Sequence, residues 1–120
     1  LLDSEQWTDQ GTYDLVETLQ REVRNNLNDP PSLGKLANML NLGERTLRRR
    51  LVAVGLSYQV IVDTQRRDKA FALLLNRDKS LSEVASEVGF SDIRNFRRAF
   101  KRWTGVAPRE ARQAMKQPRK

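Results

Sequence analysis

The sequence of 120 residues contains no cysteine and no histidine. A chain without them forms no disulfide framework, no Cys/His zinc site and no imidazole acid–base pair. It also lacks a nucleophile–base arrangement, a phosphate-binding glycine loop and any apolar run near the roughly 18 residues that span a bilayer. We therefore expect no enzyme, no metal or other cofactor and no membrane protein. No signal-peptide pattern opens the chain, so we expect a cytoplasmic location.

Positive charge is abundant and unevenly placed. The net charge is +7, yet residues 1–32 contain only two arginines against seven carboxylates. The excess of basic residues therefore follows residue 32, a distribution typical of nucleic-acid binders. Charge alone would equally fit a solvated basic surface or a protein that coats nucleic acid without sequence preference.

Helical periodicity marks the first half of the chain. Apolar residues within 14–28 follow one helical stripe, which the next two prolines end. A short helix after Ser32, a tight turn and a helix over about 44–54 are predicted to follow. Gly55 is suited to a left-handed cap of that helix.

The second half begins with one long predicted helix over 58–76, which contains no glycine or proline. Ser80 and Glu83 have the spacing of a capping box before the next short helix. A turn, a helix over about 92–103 and a last short helix to about Met115 complete the pattern. No segment predicts a strand.

These elements predict an all-α fold of about seven helices, arranged as two helix-turn-helix subdomains joined by a long linker helix. The predicted divisions are a linker or tail (1–13), the first subdomain (14–56), the linker helix (57–77), the second subdomain (78–116) and a basic tail (117–120).

The two helix-turn-helix segments form an internal repeat. At an offset of 48 the matching pairs are Leu33 and Leu81, Leu36 and Val84, Ala37 and Ala85, Leu40 and Val88, and Leu42 and Phe90. One extra residue in the second turn then changes the offset to 49, which pairs Leu47 with Phe96 and Leu51 with Phe100. We interpret these apolar residues as core, with the alanines allowing the two helices to cross closely.

Arginines recur at matching positions of the repeat, on the face opposite those core residues. We predict that they read bases in the major groove, and that guanine is the preferred base because arginine can donate to its O6 and N7 together. The predicted base readers are Arg45, Arg48, Arg49, Arg94, Arg97 and Arg98. The predicted phosphate contacts are Arg50, Lys101, Arg102, Ser57 and Ser80.

The length of the linker helix predicts how the two units would bind the same duplex. About 19 residues correspond to about 28 Å of helix, nearly one turn of B-DNA. The two recognition helices are therefore predicted to enter successive major grooves.

Two stretches carry a resemblance to a known family. VASEVGFSDIRNFRRAFKRWTGVAP (84–108) and LANMLNLGERTLRRRL (36–51) resemble the two helix-turn-helix units of the AraC/XylS transcriptional regulators, in their C-terminal DNA-binding domain. The resemblance implies a monomeric bipartite reader of double-stranded DNA, joined to an N-terminal effector-binding or dimerisation domain. It implies base contacts by the same six arginines.

The chain departs from this family at two positions. Gly43 stands where the family usually has a serine that caps the first recognition helix. Ala111 stands where an aromatic residue usually precedes Arg112, which bears on the packing of the last helix.

Three functions compete at this stage. The first is a sequence-specific transcription regulator, and the second is a non-specific or architectural nucleic-acid binder. The third is an interaction module, since the acidic leading segment could dock a partner domain or RNA polymerase.

Overall fold

The computed structural model describes residues 10–115, and every regular element in that range is an α-helix. The helices are α1 (Gln10–Arg24), α2 (Leu33–Met39), α3 (Glu44–Ala53), α4 (Tyr58–Leu74), α5 (Leu81–Glu87), α6 (Ile93–Thr104) and α7 (Pro108–Ala114). The all-α prediction of about seven helices is therefore confirmed. None of these helices combines the length and the apolar character needed to cross a membrane.

Some helix ends differ from their predicted positions. Helix α1 begins at Gln10 instead of Asp14 and ends at Arg24, and the residues up to Asn28 continue as turns. Leu27 is nevertheless buried, so the apolar stripe that predicted a longer helix extends into a turn that packs on the same core. Residues 1–9 of the predicted leading segment, and the predicted basic tail at 117–120, lie outside the described residues.

The chain forms two compact units whose sequence boundary falls inside α4, between Gln65 and Arg66. The helix predicted as a linker contributes side chains to the cores of both units. Ile61 and Val62 are buried in the first core, and Ala70 and Leu74 in the second.

The first unit has an aliphatic core. Its buried residues are Leu15, Leu19, Val23, Leu27, Leu33, Leu36, Ala37, Leu47, Leu51, Ile61 and Val62. Two polar side chains of this unit, Thr12 and Gln65, are also buried, and Gln65 accepts a hydrogen bond of 3.1 Å from Arg24 Nη1. This bond links α1 to α4.

The second unit has an aromatic core. Phe71, Phe90, Phe96, Phe100 and Trp103 form a chain of tilted ring pairs with centroids 5.4 to 6.5 Å apart. Such tilted pairs are favoured by the quadrupoles of the rings and add to the stability gained by burial. The rings thus fill the space beneath α6 that leucines fill beneath α3.

The last helix, α7, is attached to the end of α4 by an arginine. Arg112 donates from Nε to the Leu74 carbonyl at 2.9 Å and from Nη2 to the Asn76 carbonyl at 3.1 Å. Carbonyls at a helix C-terminus lack partners within the helix, so a cation that reaches them stabilises that end. Ala111 is buried in the second core. The family resemblance implies an aromatic residue at this position.

The two helix-turn-helix turns have the same backbone geometry. The Leu42 amide donates to the Ala37 carbonyl, and the Phe90 amide donates to the Ala85 carbonyl, both at 2.9 Å. A residue with positive φ precedes each donor, with φ of 58° at Asn41 and 101° at Gly89. Asparagine and glycine are the residue types that adopt this left-handed conformation most readily. The internal repeat predicted from the sequence is therefore also present in the backbone hydrogen bonds of the two turns.

Matching serines begin the first helix of each unit's helix-turn-helix. Ser32 Oγ accepts from the Lys35 amide at 3.1 Å, and Ser80 Oγ accepts from the Glu83 amide at 3.0 Å. Only Ser80 completes the predicted capping box, because its own amide donates to Glu83 Oε1 at 2.7 Å. This bond lowers the pKa of Glu83 below its ordinary value, since it stabilises the charged carboxylate.

We expect Ser80→Ala to lower the free energy of unfolding of the second unit by about 1 kcal/mol, because the Glu83 amide loses its acceptor. Ser82→Ala is the matched control, since Ser82 is exposed within the same helix and alanine favours helix there. Urea unfolding can be followed by Trp103 fluorescence in a Trp7→Phe background. Equal destabilisation by both changes would contradict the role of the cap.

Candidate nucleic-acid interface

Helix α3 buries one face and exposes the other. Leu47 and Leu51 are at most 1% exposed. Because successive residues turn by about 100° around a helix, Arg45, Arg48 and Arg49 lie on the opposite side, and all three are exposed. The three predicted base readers of the first unit therefore share one accessible surface.

Helix α6 has the same division. Phe96 and Phe100 are fully buried, and Ala99 is buried with them. The exposed basic residues of the helix are Arg94, Arg97, Arg98, Lys101 and Arg102. The predicted readers and two of the predicted phosphate contacts of the second unit thus lie together on this cationic face.

The two recognition helices begin differently. Asp92 caps α6, and its Oδ1 accepts a hydrogen bond of 2.8 Å from the Arg94 amide. That bond is the main reason that the pKa of Asp92 lies below its ordinary value. Gly43 occupies the equivalent position before α3 and offers no side chain. The sequence prediction that α3 lacks a side-chain cap is confirmed.

Three of the six predicted base readers have side-chain partners in the structure. The contacts are Arg48 to Glu44 at 2.6 Å, Arg94 to Asp92 at 3.6 Å and Arg98 to Asn95 at 3.3 Å. Arg45, Arg49 and Arg97 form no ion pair with any described residue. Exposed pairs contribute only about 0 to 1 kcal/mol, and all six guanidinium groups remain accessible to an acceptor on a bound duplex.

Arg50 lies apart from the exposed arginines of α3. It is partly buried and lines a shallow pocket of about 230 Å³ together with residues of α1 and the first turn, among them Asp14 and Leu42. Burial, and then repulsion by Arg49, lowers the pKa of Arg50 from its ordinary value. Its assignment to a DNA phosphate stays a prediction.

The two serines predicted to contact phosphate are exposed at helix starts. Ser57 Oγ accepts from the Val60 amide at 3.2 Å at the beginning of α4, and Ser80 has the capping role described above. In both, the oxygen is engaged as an acceptor, which leaves the hydroxyl hydrogen able to donate. Their contact with phosphate also stays a prediction.

Two further residues lie on the exposed face of α3 that sequence reasoning did not assign to it. Glu44 is the first residue of the helix, and it pairs with Arg48. Val52 is 67% exposed, although it is apolar. Both residues lie three or four positions from one of the arginines. That spacing could have assigned them to the exposed face, because residues three or four apart are neighbours on a helix surface.

Comparison with known proteins identifies a family model that matches the chain. A family model described as a helix-turn-helix domain matches residues 36–114. The match begins within α2 and ends with α7, so it covers most of the first helix-turn-helix unit and all of the second.

Two curated relatives come from Pseudomonas aeruginosa. The chain is 44% identical over 82 residues to the HTH-type transcriptional regulator VqsM, which covers 68% of this chain and 25% of that protein. It is 39% identical over 107 residues to the ornithine utilization regulator, which covers 86% of this chain and 32% of that protein. The chain thus spans a quarter to a third of the length of these relatives.

A solved structure shares the fold. The chain is similar to a transcriptional regulator of Chromobacterium violaceum described among AraC-type DNA-binding domain-containing proteins. The TM-score is 0.80 at 23% identity, with 91% of this chain and 98% of that chain covered.

The uncapped start of α3 can be tested by Gly43→Ser. Gly43 has φ of −76° and ψ of 151°, which any residue adopts, and an added Cβ would meet nothing within 4 Å. We expect the free energy of unfolding of the first unit to rise by about 0.5 to 1 kcal/mol, from the new cap and from a less flexible unfolded chain. Thermal unfolding by circular dichroism measures the change.

Gly55→Ser is the contrasting control. Gly55 has φ of +77°, so the same substitution should destabilise the protein there. A lowered midpoint for Gly43→Ser, or changes of the same sign at both positions, would contradict this account.

Proposed function

The chain belongs to the AraC family of helix-turn-helix proteins, and from this we propose that it is the sequence-specific, double-stranded-DNA-binding part of a bacterial transcription regulator. One observation carries the proposal. The second helix of each helix-turn-helix exposes arginines at matching positions while its opposite face is buried. A helix with an accessible cationic face fits the width and the potential of the major groove.

The proposal divides the basic residues by task. Arginine can donate two hydrogen bonds to O6 and N7 of one guanine, so the six exposed arginines at matching positions are assigned to bases. Lysine is a point charge without that fork, which suits it to phosphate. The phosphate set is Lys101, Arg102, Arg50, Ser57 and Ser80.

The alternative is a non-specific or architectural nucleic-acid binder, which the net charge supports as well. Arginines aligned on recognition helices favour base reading, because phosphate contacts do not require a matching register in both units. Competition at fixed salt separates the two: a regulator should prefer its site by about a thousandfold or more over random duplex.

The rest of the regulator also enters as a proposal. Because the curated relatives are three to four times as long as their matched parts, we expect the native protein to include an N-terminal effector-binding or dimerisation domain. RNA polymerase is a further candidate partner. The cell compartment follows from the target, since bacterial DNA is cytoplasmic, and no catalytic role is assigned.

Single substitutions on α3 and α6 test the division of tasks. We expect Arg48→Ala or Arg98→Ala to weaken binding to the selected site by about 1 to 3 kcal/mol and to relax the base preference at one position. Lys101→Ala should weaken binding to all duplexes alike and reduce the slope of log K against log salt by about 1. Fluorescence anisotropy with selected and scrambled duplexes at several salt concentrations measures both effects.

Arg67→Ala is a control of the same charge change. Arg67 belongs to α4 and to neither recognition helix, and it pairs with Asp68 at 3.1 Å. If the base preference is unchanged in both Arg48→Ala and Arg98→Ala, the assignment of these arginines to base contacts is wrong.

The use of two units predicts the form of the binding site. Duplexes selected from a random pool should contain two guanine-bearing half-sites whose centres are about 10 base pairs apart, one helical turn. Hydroxyl-radical footprinting should show protection around both. Arg48→Ala and Arg98→Ala should each relax the base preference at one position, and the two positions should lie in different half-sites. A single contiguous site that both variants affect equally would contradict binding by two recognition helices.

A further inference from the structure

The exposed face of α3 carries one carboxylate among its arginines. Glu44 is the only acidic residue of α3, and its Oε2 lies 2.6 Å from Arg48 Nη2. The two side chains are 51% and 62% exposed, so the contact lies at the surface proposed to enter the groove. A negative charge there opposes the approach of DNA phosphates, and therefore needs a physical explanation.

The carboxylate also lies close to the start of α2. A Cβ built on Gly34 would lie 3.0 Å from Glu44 Oε1 and 3.8 Å from its Cδ. The absence of a side chain at Gly34 thus makes room for the carboxylate against the first turn of α2. Glu44 is held between α2 and the guanidinium group of Arg48.

Helix α6 has no equivalent arrangement. Ile93 occupies the position that corresponds to Glu44, and α6 contains no acidic residue. Asp92 precedes the helix and engages Oδ1 with the Arg94 amide, while its Oδ2 is 3.6 Å from Arg94 Nη2. Arg98 is contacted by the neutral Asn95. A carboxylate in close contact with a predicted base reader one helical turn away is thus specific to α3.

We propose that Glu44 is a positioning residue: it orients the guanidinium group of Arg48 for guanine and makes the first unit more selective at the expense of its affinity. This inference rests on the proposed function. Arginine has five donors, so a bond from Nη2 to Glu44 leaves donors for O6 and N7 of a base. Fixing the side chain reduces the number of other acceptors that Arg48 can reach.

The charge of Glu44 adds a second contribution to selectivity. In a groove where Arg48 finds no guanine, the carboxylate still faces phosphates and must give up water. Discrimination between partners is often gained in this way, by a repulsive element that only the correct partner compensates. Glu44 therefore weakens binding to wrong sites more than binding to the right one.

Two variants separate the orientation from the charge. Glu44→Gln removes the charge, so we expect affinity for a scrambled duplex to rise roughly two- to threefold. Its preference for a selected duplex over the same duplex with the first-half-site guanine replaced by adenine should fall by about fivefold. Glu44→Asp keeps the charge but draws the carboxylate back by one methylene, so the guanidinium group of Arg48 can no longer pair with it in the same position. It should leave scrambled-duplex affinity unchanged and still lose preference.

Two controls make the test specific. Glu87→Gln removes an equally close partner, since Glu87 Oε2 lies 2.6 Å from Lys79 Nζ, and Glu87 belongs to α5, outside the recognition helices. It should leave the guanine preference intact. In an Arg48→Ala background, Glu44→Gln should cause no further loss of preference. Circular dichroism verifies the helical content of every variant.

The outcomes distinguish the two proposals. If the unmodified chain shows no preference for its selected duplex over a scrambled one, the proposed function is wrong, and the role of Glu44 is wrong with it. If that preference exists but Glu44→Gln and Glu44→Asp both retain it, only the positioning role is overturned. Loss of preference in both variants, absent in Glu87→Gln, supports it.

Discussion

The close crossing of two helices over a short turn is the constraint on which each unit depends. An alanine at the crossing, a left-handed residue in the turn and one amide-to-carbonyl bond of 2.9 Å recur in both units. Once this turn is formed, the rotation of the second helix is fixed, because Leu47 or Phe96 must enter the core. The arginines are then directed outward as a consequence of packing. The reading surface is therefore set by apolar residues that never contact the solvent.

The two units reach this geometry with different cores. Leucines support α3, whereas tilted phenylalanine and tryptophan rings support α6. Aromatic rings fill more volume, and the second unit accommodates them with an alanine, Ala111, on its last helix. Arg112 then anchors that helix through carbonyls at the end of α4. The two units thus differ in their core side chains, whereas both have the same turn geometry and an exposed cationic face.

Both recognition helices concentrate like charge, and they relieve it differently. On α6 the cations are spread over the exposed face, and Asp92, which precedes the helix, pairs with Arg94. On α3, Glu44 offsets part of the charge and Arg50 is drawn toward the pocket beside α1. On both helices, the cations that remain can neutralise phosphates of a bound duplex. The first unit thus carries a carboxylate within its recognition helix that the second lacks, in line with the unequal division of affinity and selectivity proposed above.

The sequence by itself determined the helices, the repeat and the exposed faces of α3 and α6, because these follow from local spacing and a rotation of about 100° per residue. It also indicated the missing cap at Gly43 and the left-handed turn at Gly55. Tertiary structure decided where α1 begins and ends, how α4 contributes to two cores, the partial burial of Arg50 and the anchoring by Arg112. Those features depend on contacts between residues that are distant in the chain. Their energies are set by which surfaces pack together, and local sequence spacing does not contain that information.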